Sequence, residues 1–150
     1  MGLANLPAFL LQHRRVALDT NIFIYELEEN PRYLALTRRI FRWLEESHHA
    51  AVTSTLTMTE VLTGFYLRKE PQRGHHNYAL LSIYPRLEWV APDLKIADLA
   101  AKFRAQHRMR TPDAIQAATA VQSAVTGFVS NDRVFERVEA FETLVLDDLL

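Results

Sequence analysis

Four acidic residues, Asp19, Glu60, Asp113 and Asp132, stand where short apolar runs give way to polar or helical sequence. Asp19 interrupts the hydrophobic stretch "VALDTNIFIY": Val16, Ala17 and Leu18 precede it, and Ile22 to Tyr25 resume the apolar character. Asp132 closes "VSND", Asp113 follows Thr111-Pro112, and Glu60 lies within "LTMTEVL". Carboxylates gathered in one place cannot all stay ionised unaided, because like charges raise one another's pKa. Either some keep a proton or a cation lies among them. Hard oxygen donors without histidine or cysteine suit Mg²⁺ or Mn²⁺. Such an ion positions a phosphate, activates water and neutralises charge as a phosphodiester is cleaved. The chemistry these residues suggest is metal-assisted phosphoryl hydrolysis.

Each acid also has an ordinary use. Asp19 after a strand serves as a helix N-cap. Glu60 lies nearly opposite the apolar face of Met58, Val61, Leu62, Phe65 and Tyr66, where a solvated glutamate is expected. Asp113 in a first helical turn is favoured by the helix dipole alone, and Asn131-Asp132 is a common turn pair. His75-His76, after Gly74, reads as a loop pair without further ligands at metal-site spacing. What sets the four acids apart is where the fold must bring them.

Short apolar runs at Val16–Leu18, Ala51–Ser54, Leu87–Val90, Gly127–Ser130 and Thr143–Leu146 read as strands. Helical patterns lie between them at about 21–28, 32–48, 56–68, 76–84, 93–108 and 112–125, with a short one near 133–139. Thr111 as N-cap with Pro112 at the first helical position starts one helix, and Gly127 ends it. Strands alternating with helices predict a single α/β/α sandwich on a parallel sheet of about five strands, spanning 1–150, with a short N-terminal extension over 1–14 packed on it. Right-handed crossovers bring the C-terminal strand ends to one edge, where open α/β folds bind ligands. Asp19 and Asp132 follow strands there, and Glu60 and Asp113 lie on helices that start there. Separations of 41, 53 and 19 residues between successive acids therefore collapse to one place.

The 150 residues carry 17 basic and 18 acidic side chains, a net charge of −1, so nucleic-acid binding must come from local patches. The lack of cysteine excludes a disulfide scaffold and thiolate chemistry, and is compatible with a reducing cytoplasm, the expected location. No apolar run reaches the roughly 20 residues of a membrane span. Arg14 and Arg15 follow the N-terminal apolar stretch, the reverse of a secretory signal.

At "LDTNIFIYELEENPR", "SxLTxTEVLTG", "TPDAIQAATA" and "VSNDRVF" the sequence resembles the PIN-domain nucleases, and among them the VapC-like toxins of toxin–antitoxin pairs, from about Arg15 to Leu146. The resemblance implies a ribonuclease whose acids bind Mg²⁺ or Mn²⁺. Asp19, Glu60, Asp113 and Asp132 match the four family acids. Thr20 and Asn21 match the polar pair after the first, and Ser130 and Asn131 the pair before the last. Thr20, Asn21 and Ser130 would then fix the carboxylates by hydrogen bonds. Lys95, Lys102, Arg104, Arg108 and Arg110 would meet RNA phosphates, or else form a solvated helix face. The resemblance also implies an antitoxin protein as partner and a homodimer. The extension before the first strand departs from the family pattern. A non-catalytic RNA-binding or regulatory module on the same fold is the alternative reading.

Overall fold

A computed structural model describes residues 5–46 and 48–150. Five short strands form one sheet: β1 (Arg15–Leu18), β2 (Ala50–Ser54), β3 (Leu87–Val90), β4 (Gly127–Ser130) and β5 (Glu142–Val145). All neighbours pair in parallel, in the order β3-β2-β1-β4-β5. Strands this short are stable in parallel only when helices cover both faces, and the pleat shows both faces in use. Val16, Leu18, Ala51 and Val129 enter one core cluster, while Ala17, Val52 and Phe128 enter the other.

The first cluster is covered by α1 (Asn5–Gln12), α2 (Thr20–Leu27), α3 (Leu34–Glu45), α4 (Thr55–Leu67) and α5 (Pro71–Ser82). α6 (Leu94–His107), α7 (Thr111–Gln122) and a 3-10 turn at Arg133–Arg137 cover the second. A last 3-10 turn, Leu146–Leu149, follows β5. The result is the expected three-layer sandwich on a five-stranded parallel sheet. No helix among the described residues is long and apolar enough to cross a membrane.

Several boundaries differ from the sequence expectations. α5 starts at Pro71 rather than near 76, because proline fits the first helical turn, whose N–H groups have no intrahelical acceptor. His75 and His76 therefore lie on a helix and not in a loop. α7 starts at Thr111, with Arg110 at the cap position and no side-chain cap bond, so Thr111 is not its N-cap. It ends at Gln122, where Ala124 takes the left-handed conformation (φ 57°).

Gly127 is therefore not a helix terminator. A Cβ there would lie 2.7 Å from Phe9 Cζ and 2.9 Å from His13 Cγ, so glycine admits the close approach of α1. That helix buries Leu6, Phe9 and Leu10. The buried His13 then ties it to the far edge of the sheet, with Nδ1 2.7 Å from Thr126 Oγ1 and Nε2 2.9 Å from Glu142 Oε2. The described part of the extension is thus packed on the sheet; residues 1–4 lie outside the described residues.

Candidate active site

Asp19 is the first residue after β1, with extended backbone (φ −75°, ψ 160°), and caps α2 through Thr20 N–H, which donates to Oδ1 at 2.8 Å. The capping role and a place at the sheet edge coexist in this one residue. Its other oxygen, Oδ2, accepts from Ser130 Oγ at 2.7 Å and from Asn21 Nδ2 at 3.4 Å. Ser130 ends β4 beside β1, so register alone puts its hydroxyl against the carboxylate. Its Oγ also accepts from the Asp132 N–H at 2.9 Å, which fixes the turn carrying that acid.

Asp19, Glu60, Asp113 and Asp132 line one cavity of about 210 Å³ together with Thr20, Asn21, Ile24, Pro112 and Gln116. Asp113 sits in the first turn of α7 and Glu60 in the second turn of α4, both helices starting from this edge. Glu60 is not the purely solvated glutamate its helical position suggested: Oε1 accepts from Thr20 Oγ1 at 2.7 Å. A larger hollow of about 370 Å³ lies between α1 and α3, lined among others by Leu11, Arg39, Arg42 and Trp43. Among the described residues it is lined by one acid, Glu46.

The cavity is electrostatically unfavourable to carboxylates. Burial pushes the Asp19 carboxyl up to about 7, with the charges of Asp113 and Glu60 adding to it, against the hydrogen bonds of Ser130 and Thr20. Asp113 is also raised, by burial first and then by Asp132 and Glu60, while Arg110 opposes the rise. The donor set is all hard oxygen, and the buried Asn21 Oδ1 has no hydrogen-bond partner. Both features fit a hard divalent cation.

Even so, among the described residues no three His, Cys, Asp or Glu side chains form a ready-made metal-binding group. Each acid is held by its own partner. Glu60 is engaged by Thr20, Asp132 Oδ1 accepts from Val134 N–H at 3.0 Å, and Asp113 faces Arg110 Nε at 3.9 Å. The fold brings the four acids to one cavity while a separate protein donor or cation faces each carboxylate.

Of the polar residues expected to support the acids, Thr20, Asn21 and Ser130 do touch them. Asn131 does not. Its Nδ2 donates to Tyr25 Oη at 3.2 Å and its Oδ1 accepts from Asp147 N–H at 2.9 Å, so it braces the C-terminal turn. Sequence reasoning missed Thr57 and Gln116. The buried Gln116 Nε2 donates to Thr57 Oγ1 at 2.7 Å, and Thr57 Oγ1 lies 2.6 Å from Thr53 Oγ1 and 3.2 Å from Thr20 Oγ1. Each has a legible signal: Thr57 is three residues before Glu60 and Gln116 three after Asp113, hence on the same helix face as its acid.

Comparison with known proteins agrees with this fold. The PIN domain model matches residues 16–140. Solved structures with the same fold include VapBC from Salmonella typhimurium bound to DNA, 22% identical over 88% of this chain and 98% of that one, with a TM-score of 0.68. VapBC2 from Rickettsia felis, bound to a fragment of its promoter, is 18% identical over 87% and 98%, with a TM-score of 0.65. VapC20 from Mycobacterium tuberculosis, described as a toxin cleaving the sarcin–ricin loop, is 14% identical over 81% and 93%, with a TM-score of 0.66. No curated protein sequence matches the chain.

Proposed function

The chain belongs to the PIN domain family, and from that premise we propose that it is a metal-dependent endoribonuclease and the toxin of a toxin–antitoxin pair. The observation that carries the proposal is the single cavity lined by Asp19, Glu60, Asp113 and Asp132. Asp19, Asp113 and Glu60 would hold Mg²⁺ or Mn²⁺, and Asp132 would complete the pocket by holding a second ion or orienting the attacking water. When bound, the ion supplies charge neutralisation at the phosphate and a more acidic water. The protein supplies position. Ser130 and the Thr20 N–H fix the Asp19 carboxylate, Thr20 holds Glu60, and the Gln116–Thr57 network holds Thr20 in turn. The buried wall of Asp19 strengthens every charge interaction there relative to water.

The basic segment holding Lys95, Lys102, Arg104, Arg108 and Arg110, which leads directly into Asp113, is the proposed strand-binding side. A toxin–antitoxin complex from Klebsiella pneumoniae shares this fold, and we extend an antitoxin partner, a cytoplasmic site of action and a homodimer to this chain as part of the proposal. Expression of the chain alone is expected to arrest growth, and Asp19→Asn to relieve the arrest. Equal arrest by both proteins would detach toxicity from the acidic cavity.

A second reading is a PIN module that binds RNA without cleaving it, favoured by the protein donors that already engage Glu60 and Asp132. RNA binding with no Mg²⁺- or Mn²⁺-dependent cleavage would select that reading.

A further inference from the structure

The basic segment before Asp113 is not a uniform solvated face. Lys102 pairs with Asp98 at 3.2 Å, one turn back on α6. Arg104 turns its Nε to the Met109 carbonyl at 3.3 Å. Arg137, from the 3-10 turn after β4, donates Nη1 to the His107 carbonyl at 2.7 Å. Between these two anchored carbonyls Arg108 takes the left-handed conformation (φ 55°), which reverses the chain and drives Met109 into the core at 3% exposure. Residues 107–110 are thus held at three points, by two arginine–carbonyl bonds and a buried methionine. Arg108 and Arg110, on either side of that methionine, are exposed.

Among the described residues Arg108 forms no ion pair. Arg110 has only Asp113, at 3.9 Å and on the lip of the acidic cavity. Two arginines on a braced loop, next to carboxylates in a chain of net charge −1, are complementary to a chain of phosphates. Guanidinium groups recognise phosphate through paired N–H donors.

Resting on the nuclease reading, we propose that Arg108 and Arg110 grip the phosphates of a single RNA strand on the α7 side of the cavity, and that Arg104 and Arg137 are positioning residues that hold the loop presenting them. Lys102, paired with Asp98 on the exposed face of α6, is not part of the proposed grip. Arg137 lies outside the basic segment and is assigned only by the fold.

The test is binding of a fluorescein-labelled single-stranded RNA, read by anisotropy in EDTA from about 50 to 200 mM salt. Arg108→Ala and Arg110→Ala are each expected to weaken binding about tenfold and to lower the slope of log K against log salt by about 0.7, the loss of one phosphate contact on a single strand. Arg137→Ala is expected to weaken binding with the same change of slope, and Arg137→Lys to restore most of it, since an ammonium also donates to the carbonyl. Arg39→Ala, on α3, is the control and should leave the slope unchanged.

Unchanged slopes in both loop variants, with cleavage intact, would overturn this assignment and leave the nuclease reading standing. Failure of the wild type to bind RNA at low salt would overturn it as well. If the wild type binds with these slopes but never cleaves, the nuclease reading falls and the phosphate grip survives.

Discussion

Replacing Asp19 with asparagine is predicted to stabilise the metal-free protein at neutral pH. The carboxyl titrates at about 7 in the fold against a usual 3.8, so the folded chain keeps a proton there that the unfolded chain has already lost. Stability therefore falls as pH rises from about 4, and the full penalty is present above about 7. At 1.36 kcal/mol for each tenfold change in proton affinity, that interval comes to about 4 kcal/mol. Asparagine keeps an acceptor for the Thr20 N–H but reverses the bond from Ser130 Oγ, a loss of about 1 kcal/mol.

The net gain at pH 8 is then about 3 kcal/mol, shrinking to nothing near pH 4–5. For a chain of this size it corresponds to roughly 6–12 °C in Tm. Thermal and urea melts of both proteins in EDTA across that range measure it. Subtracting the wild type removes the titration of groups that are not coupled to Asp19. A difference that stays constant between pH 4.5 and pH 8 would refute the buried, charge-penalised carboxyl.

Two further perturbations probe the scaffold. Gly127→Ala places a Cβ 2.7 Å from Phe9 Cζ and is expected to cost about 1–3 kcal/mol by displacing α1, read as a lower urea midpoint; an unchanged midpoint would mean that α1 does not press on the sheet. Ser130→Ala removes both the donor to Asp19 Oδ2 and the acceptor of the Asp132 N–H, and should lower RNA cleavage by about 10–100-fold with the fold intact by circular dichroism.

The sheet was legible because its strands are short apolar runs, with Val16–Leu18 and Gly127–Ser130 each ending at an acid-bearing turn. The acids were legible together, through topology, and not one by one. Helix starts were harder. Gly74 and the histidines hide a helix that Pro71 opens, since proline fits a first turn as readily as a loop. The polar network under Asp19 was missed for a different reason, although its spacing from the acids was a usable signal. Thr57 and Gln116 are ordinary residues of amphipathic helices, and periodicity does not say which polar side chain turns inward. Asn131 shows the converse: a residue beside an acid in sequence bonds to Tyr25 and Asp147 instead. Arg137 acts 30 residues from the carbonyl it holds, a relation only the fold creates.

The central claim is that four acids act as one divalent-cation site. It is tested most directly by the cleavage rate of a labelled single-stranded RNA against Mg²⁺ concentration, for the wild type and Asp113→Asn. The account predicts a rate that rises with Mg²⁺, vanishes in EDTA, and falls by about two orders of magnitude or more in the variant at unchanged circular dichroism. Cleavage that persists in EDTA, or an Asp113→Asn rate equal to the wild type's, would contradict it.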